Sequence, residues 1–223
     1  MSDFFELARQ ILPNLLAGLW ITMELWLLCL VLGGILAIAT ALCRIYGNKP
    51  IYYLATAYIE IVRGTPLLVQ IFIIYYGLGD IGILLSPFLS AVIAFSVNTA
   101  AYQAEYIRGA IQSIRGGQIE AALAIGMSKY ELIRYIVLPQ AFRLVIPPWS
   151  NEAILMLKFT SVAFLITVPE LMSRGRMIAT SNYRYIEVFT IVACIYLIVV
   201  LIFTFLLDRL ESRINIPGLG MSR

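Results

Sequence analysis

The sequence predicts an all-α integral membrane bundle of five transmembrane helices with a cytoplasmic elbow between the third and fourth. Composition is the first reason. Of 223 residues, 61% are hydrophobic and 13% charged, where ordinary soluble domains hold about 45–50% apolar and about 25% charged residues. The second is the grouping of the apolar residues into runs that can cross a bilayer, which takes about 20 of them in a helix. The third is what is missing: no His is present, which removes the commonest proton shuttle and metal ligand. A net charge of +3 is too small to point to nucleic acid. Cys29, Cys43 and Cys194 lie in or beside apolar runs at no metal-like spacing and read as small buried hydrophobes.

The first residues do not read as a cleavable leader, because Asp3, Glu6 and Arg9 do not form a basic start, and they are expected to stay in the mature protein. FFELARQIL reads as an interfacial amphipathic turn. The first span covers 15–42, with Gly33-Gly34 as a close-packing site, and Tyr46 to Pro50 is a turn. The second covers 51–77 and contains RGTP, where Thr65 is a candidate N-cap and Pro66 suits a first helical position. Two helical pieces meeting at Gly64, or one helix with a Pro kink, both fit. The third span covers 84–108. The fourth covers 142–165, with Pro147-Pro148 near its start, and the fifth 189–207. Pro169 to Tyr185 is polar and basic and reads as a loop. The tail from Glu211 is polar and reads as partly disordered. No internal repeat of the kind found in many secondary transporters is visible.

Orientation follows from Lys and Arg, which favour the cytoplasmic side. With the N-terminus outside and the C-terminus inside, most of the 16 Lys and Arg fall on inner segments. These are Arg44, Lys49, Arg63, Arg108, Arg115, Lys129, Arg134, Arg143, Arg209, Arg213 and Arg223. Arg9, Arg174, Arg176 and Arg184 fall outside, and Lys158 falls within a span.

The elbow, 116–139, is therefore cytoplasmic. Gln118 to Ile125 holds good helix formers, and Gly126 suits the left-handed residue that ends such a helix. Ser128 and Glu131 have the spacing of a capping box, which predicts a second short helix. Leu132, Ile133 and Ile136 form a face that can rest on the spans, while Glu120, Lys129 and Arg134 can face outward. An interfacial amphipathic loop without a partner fits the same periodicity.

Spacing adds to this. Glu120-Ala121-Ala122, three residues, Gly126, nine residues, then Ile136-x-Leu138-Pro139 resembles the loop of permease subunits of ATP-binding-cassette importers. RGTPLLVQ (63–70), AAYQAEYIRGAIQSI (100–114), LPQAFR (138–143), Asn151-Glu152 and the K-x-TS at 158–161 resemble the polar amino acid permease family in particular. That resemblance implies a coupling helix seated in a groove of a separate ATPase subunit. It assigns Glu120, Ala121, Ala122, Gly126, Ser128 and Lys129 to the coupling region. It also implies a second permease subunit, identical or not, and an extracytoplasmic amino-acid-binding protein. No G-x-x-x-x-G-K-[ST] phosphate loop occurs in the chain, so no cofactor is expected here, and ATP and Mg are used by the partner. Glu120 either contacts that partner or favours a helix N-terminus electrostatically.

Ionisable groups within spans are costly and point to function. Asn98, Tyr102 and Glu105 recur at i, i+4 and i+7 and share one helix face, with Ser96 nearby. In the fourth span Asn151, Glu152, Lys158, Thr160 and Ser161 are polar, and Asn151 aligns with Lys158. Candidate ligand residues for a polar amino acid are Ser96, Asn98, Tyr102, Glu152, Lys158 and Ser161, with Glu152 the acceptor for an α-ammonium group. Structural pairs, such as Glu105 or Glu152 with Lys158, are the competing reading. Phe159 stands where the family often carries an acid. The stretch 170–185 reads as an interfacial belt or a landing surface for the binding protein. A secondary transporter or channel is the alternative function. Five spans enclose a path poorly, so a permease dimer is expected.

Overall fold

The computed structural model describes residues 2–114 and 116–214, and these form eight helices. Arg115, Arg223 and the tail from 215 onward, all used in the sequence reading, lie outside the described residues. Helix α1 is Ser2–Tyr46, and α2 is Lys49–Gly64, capped by the Asn48 side chain on Ile51 N. Helix α3 is Leu67–Asp80, which widens at Ile73–Gly77. Helix α4 is Pro87–Gln112, capped by Ser86 on Leu89 N. Helix α5 is Gly116–Ala124, α6 is Lys129–Ile166, α7 is Leu171–Asn182 and α8 is Tyr185–Ile214.

Helices α1, α6 and α8 are long and apolar enough to cross a membrane, and α2 with α3 makes a fourth candidate if that pair, bent by 106°, is taken as one span. The expected count of five is met only in part, and α4 is the reason. At 26 residues it is about 39 Å long, so composition and not length sets it apart. Its Ser90, Ser96, Asn98, Thr99 and Gln103 are buried. A helix in the middle of a bundle does not meet lipid and can carry polar residues where partners receive them. The large apolar residues sit outside instead: Leu27, Val31, Ile35 and Ile38 on α1, and Leu197, Ile198, Leu201 and Ile202 on α8, are exposed.

Helix α4 packs most extensively on α1. Gly33 makes this possible, since a Cβ there would stand 2.2 Å from Thr99 Cγ2 and 3.2 Å from the Ser96 carbonyl. Below it, Ala37 and Ala41 of α1 meet Ala100, Ala101 and Ala104 of α4 and Ile59 of α2. Above it, Leu25, Trp26 and Cys29 pack on Phe95 and Met156, and Trp26 Nε1 donates to the Ala153 carbonyl at 2.7 Å.

Several expectations are corrected. The N-terminal segment is not a separate turn. It is continuous with the first span, because Leu7, Ile11 and Leu15 pack on Leu171, Val188 and Val192. Thr65 is not an N-cap. It ends α2, with Oγ1 donating back to the Ile61 carbonyl at 2.8 Å, and Pro66 precedes α3. The two-piece reading of the second span holds, since α2 ends at Gly64. Segment 169–185 is no loop: α7 is nucleated by the buried Glu170, whose carboxylate accepts from Met172 N and Ser173 N at 2.8 and 2.7 Å. Polarity hid this helix because its buried face is small, with Gly175 against Val192 and Ala179 in the core. Cys29 is buried, but Cys43 and Cys194 are exposed on the chain's surface.

Candidate functional site

The elbow begins with α5. Met127 N bonds the Ala122 carbonyl at 3.1 Å and Gly126 N the Leu123 carbonyl at 3.0 Å, the paired bonds of a Schellman ending. Gly126 takes φ +85, as that ending requires. Ser128 and Glu131 close a capping box, with Ser128 N donating to Glu131 Oε2 at 2.8 Å. The second elbow helix is not a separate piece, however. The chain runs from Lys129 through Pro139 into the next span as α6. Proline has no N–H and crowds the carbonyl four residues back, and the helix passes it by widening over Leu132–Val137.

Ala122 is buried with Ala110, Ile114, Leu132, Val137 and Ala141, which fixes α5 to the base of α4 and α6. Gln140 Nε2 donates to Gln118 Oε1 at 2.7 Å across the same joint. Glu120, Ala121, Gly126, Ser128 and Lys129 are exposed. Of the expected membrane-facing residues, Leu132 is buried and Ile136 packs on that cluster, whereas Ile133 is exposed. The outer face also carries Leu123, Ile125, Tyr130 and Tyr135.

The polar residues within the spans divide into two groups. Asn98, Tyr102 and Glu105 of α4 all face the α2–α3 junction. Asn98 Nδ2 donates to Gln70 Oε1 at 3.0 Å. The Tyr102 ring lies under the Arg63 guanidinium, 5.3 Å from its centroid. Glu105 is paired with Arg44, with Arg108 at 2.8 Å and with Arg63 at 3.8 Å. Glu152 of α6 is buried against a different face of α4, accepting from Thr99 Oγ1 and Tyr106 Oη at 3.3 Å each. Ser96 is also buried in α4.

Lys158 and Ser161 are not brought to this group. Asn151 and Lys158 are exposed on a side of α6 turned away from Glu152, Phe159 is exposed as well, and Ser161 Oγ donates to the Lys158 carbonyl at 2.7 Å. The expected ion pair of Lys158 with Glu105 or Glu152 does not form among the described residues. Arginines hold Glu105, and hydroxyls hold Glu152. Helical phase explains the division: Glu152 and Lys158 are six residues apart, about 240° around a helix of 3.6 residues per turn.

The sequence reading missed Gln70, Thr99, Tyr106 and the convergence of Arg44, Arg63 and Arg108. The arginines were visible only as topological charges. Thr99, Gln103 and Tyr106 repeat the spacing of Asn98, Tyr102 and Glu105 one residue on, a second polar face on α4 that could have been read.

With this geometry in view, the relatives are informative. Residues 29–216 match the family model described as binding-protein-dependent transport system inner membrane component. The chain is 39% identical over 209 residues to the glutamine transport system permease protein GlnP of Escherichia coli (strain K12), covering 92% of this chain and 94% of that one. It is 36% identical over 214 residues to the arginine transport system permease protein ArtQ of Bacillus subtilis (strain 168), covering 96% and 97%. Among solved structures, one titled as a crystal structure of an amino acid ABC transporter with histidines superposes with a TM-score of 0.90 at 37% identity, over 96% of this chain and 99% of that one. Inward-facing MetNI methionine ABC transporter gives 0.74 at 20% identity, over 93% and 99%, a likeness of fold. The chain belongs to the binding-protein-dependent transport system inner membrane component family.

Proposed function

We infer that this chain is the multi-pass inner-membrane permease subunit of an ATP-driven amino acid importer, carrying the solute while a separate subunit hydrolyses ATP. The cargo is a polar amino acid, and the solute path is formed with a second permease subunit. The single observation that carries this reading is the elbow. Family membership gives it a role, and its geometry suits that role: a short helix, locked at Gly126, stands on the bases of α4 and α6 and exposes Glu120, Ser128 and Lys129. Force applied to α5 passes through packed side chains into two helices, and α6 is continuous from the elbow to the polar residues of the path.

In this reading α5 docks on the ATPase, and the exposed side of α6 with Lys158 and Ser161 faces the path shared with the second permease. Asn98, Tyr102 and Glu152 form an inner polar group behind that wall, which the path reaches when the helices part, with Glu152 the acceptor for the ammonium group. The N-terminus lies outside and the C-terminus in the cytoplasm, which puts the tip around α7 where an extracytoplasmic binding protein lands. The alternative, a self-powered secondary transporter or channel, has no supporting observation once the family is known.

Reconstitution tests this. Proteoliposomes holding this chain, its ATPase and its binding protein take up amino acid only with ATP. Uptake driven by an ion gradient in the absence of the ATPase would overturn the reading. Crosslinks from Ala121 to Lys129 reach the ATPase, and Glu152→Gln lowers both uptake and substrate-stimulated hydrolysis. If both activities are unchanged in that variant, Glu152 is not at the ligand.

A further inference from the structure

We propose that Arg44, Arg63 and Arg108, with the apolar cavity beside Arg63, form a binding site for an anionic phospholipid. The site goes beyond the transport reading, rests on it for the placement of the end of α1 at the membrane surface, and adjoins the proposed path through Tyr102 under Arg63 and through the Gln70–Asn98 bond.

The cationic half is built from three helices. Arg44 lies in the last turn of α1, Arg63 in the last turn of α2 and Arg108 in the last turns of α4. All three lie within 4 Å of a single carboxylate, that of Glu105, so the four groups carry a net charge of +2. Glu105 is satisfied by Arg44 and Arg108, the latter through two hydrogen bonds at 3.0 and 2.8 Å. Arg63 is different. Its guanidinium stands 3.8 Å from Glu105 and over the Tyr102 ring, and makes no hydrogen bond among the described residues, with a side chain 39% exposed. A guanidinium presents five donors in a fork that matches a phosphate. The cluster also keeps cationic charge at a helix terminus, where a headgroup lies.

The apolar half meets the cationic half on α4, where Gln70 of the cavity rim bonds Asn98, one helical turn before the Tyr102 that lies under Arg63. A cavity of about 220 Å³ is lined by Ile61, Val62, Val69, Ile73, Ile74 and Val97, with Thr65 and Gln70 as its polar rim. It opens in the crook of the 106° bend between α2 and α3. Ile61, Val69 and Ile73 are exposed there. A cationic fork beside an apolar slot fits a phosphodiester joined to an acyl chain. A free anion uses only the first half, and an apolar protein surface only the second. Charge complementarity therefore selects the lipid. On α2, Tyr52 and Tyr53 are exposed as well, the residues that anchor at the headgroup level.

The test uses the purified complete transporter in nanodiscs of dioleoyl-phosphatidylglycerol or dioleoyl-phosphatidylcholine, with retained lipid counted by native mass spectrometry after detergent extraction. Wild type retains phosphatidylglycerol in preference to phosphatidylcholine. Arg63→Gln lowers that retention by about tenfold or more, the loss expected for a charge-assisted contact, and Arg63→Lys restores part of it. Val69→Trp, which fills the cavity and leaves the arginines in place, lowers it as well. Elution and melting of each variant as in wild type establish folding. Equal retention of the two lipids, or full retention in Arg63→Gln, overturns the proposal. So does displacement of the lipid by millimolar inorganic phosphate, which marks a free-anion site. Unchanged retention in Val69→Trp with loss of the permease dimer gives the cavity to a second copy and also overturns it. ATP-driven uptake measured in parallel separates failure of this site from failure of the transport reading.

Discussion

Gln70 holds Asn98 and the end of α2 at once. Its Oε1 accepts from Asn98 Nδ2 at 3.0 Å, while its Nε2 donates to the Val62 carbonyl at 2.7 Å and to Thr65 Oγ1 at 2.9 Å. A helix end leaves carbonyls without intrahelical partners, and here the Gln70 amide supplies one. One amide therefore closes α2 at the break and ties the break to the central helix. Gln70→Leu removes the donor to Val62 and the acceptor for Asn98 at nearly constant volume. The expected loss is about 1–3 kcal/mol, visible as a lower melting temperature in detergent and faster hydrogen exchange at 62–66. A variant with wild-type melting and exchange would show that the bend is held by packing alone.

Gly33 sets the distance between α1 and α4. An added methyl would stand 2.2 Å from Thr99 Cγ2 and 3.2 Å from backbone. Thr99 also bonds Glu152 at 3.3 Å, so pressure on Thr99 is felt by the buried carboxylate. Gly33→Ala is expected to cost about 1–3 kcal/mol as overpacking and to reduce uptake. Gly34→Ala, next to it, meets only Gln103 Oε1 at 3.5 Å and leaves stability within about 0.5 kcal/mol. Melting temperatures of the two variants, measured side by side, check the contrast. Equal effects would place the close approach elsewhere.

Gly126 is strained for any other residue by its backbone, since no neighbouring atom stands within 4 Å of an added Cβ. With φ at +85, Gly126→Ala costs on the order of 1–2 kcal/mol locally and undoes the bonds that end α5. The bundle above is largely unaffected, so the melting temperature changes little. The ATPase rate of the assembled transporter ceases to respond to substrate. Retained coupling in this variant would show that the elbow tolerates another ending.

These residues also show what could be read in advance. The Schellman glycine and the capping box are local devices, fixed by neighbours within a few residues, and both were legible at Gly126, Ser128 and Glu131. The i, i+4, i+7 face of Asn98, Tyr102 and Glu105 was legible because helical phase is a property of one segment. The partners of that face were not. Gln70 and Arg63 reach it only because α2 and α3 bend by 106°, and RGTP was compatible with a kink or a break. Segment 169–185 was misread because a polar helix seated on Gly175 and Ala179 leaves no apolar stripe. Its helical cap, Glu170, is buried by α1 and α8, which are distant in sequence.

Glu170 is where pH enters. Its carboxylate accepts from Met172 N, Ser173 N and Tyr196 Oη, the last at 3.1 Å. Burial outweighs these bonds and pushes its pKa from the ordinary 4.5 up to about 7. A carboxyl whose folded pKa is raised binds its proton more tightly in the folded state than in the unfolded one. Its contribution is fully present below about pH 4.5 and is lost as pH rises through about 7. The expected loss is on the order of a few kcal/mol across that window. It acts on the junction of α7 with α1, where Leu171 N donates to Thr22 Oγ1 at 3.1 Å. Melting in detergent between pH 5 and 8 should therefore fall with pH in the wild type. Glu170→Gln keeps one acceptor oxygen where the carboxylate has two, which lowers stability at every pH, but it cannot ionise, so its melting should be flatter over the same range. Were the variant to keep the wild-type slope, the titration would belong to another group, and the cap at Glu170 would be only a structural one.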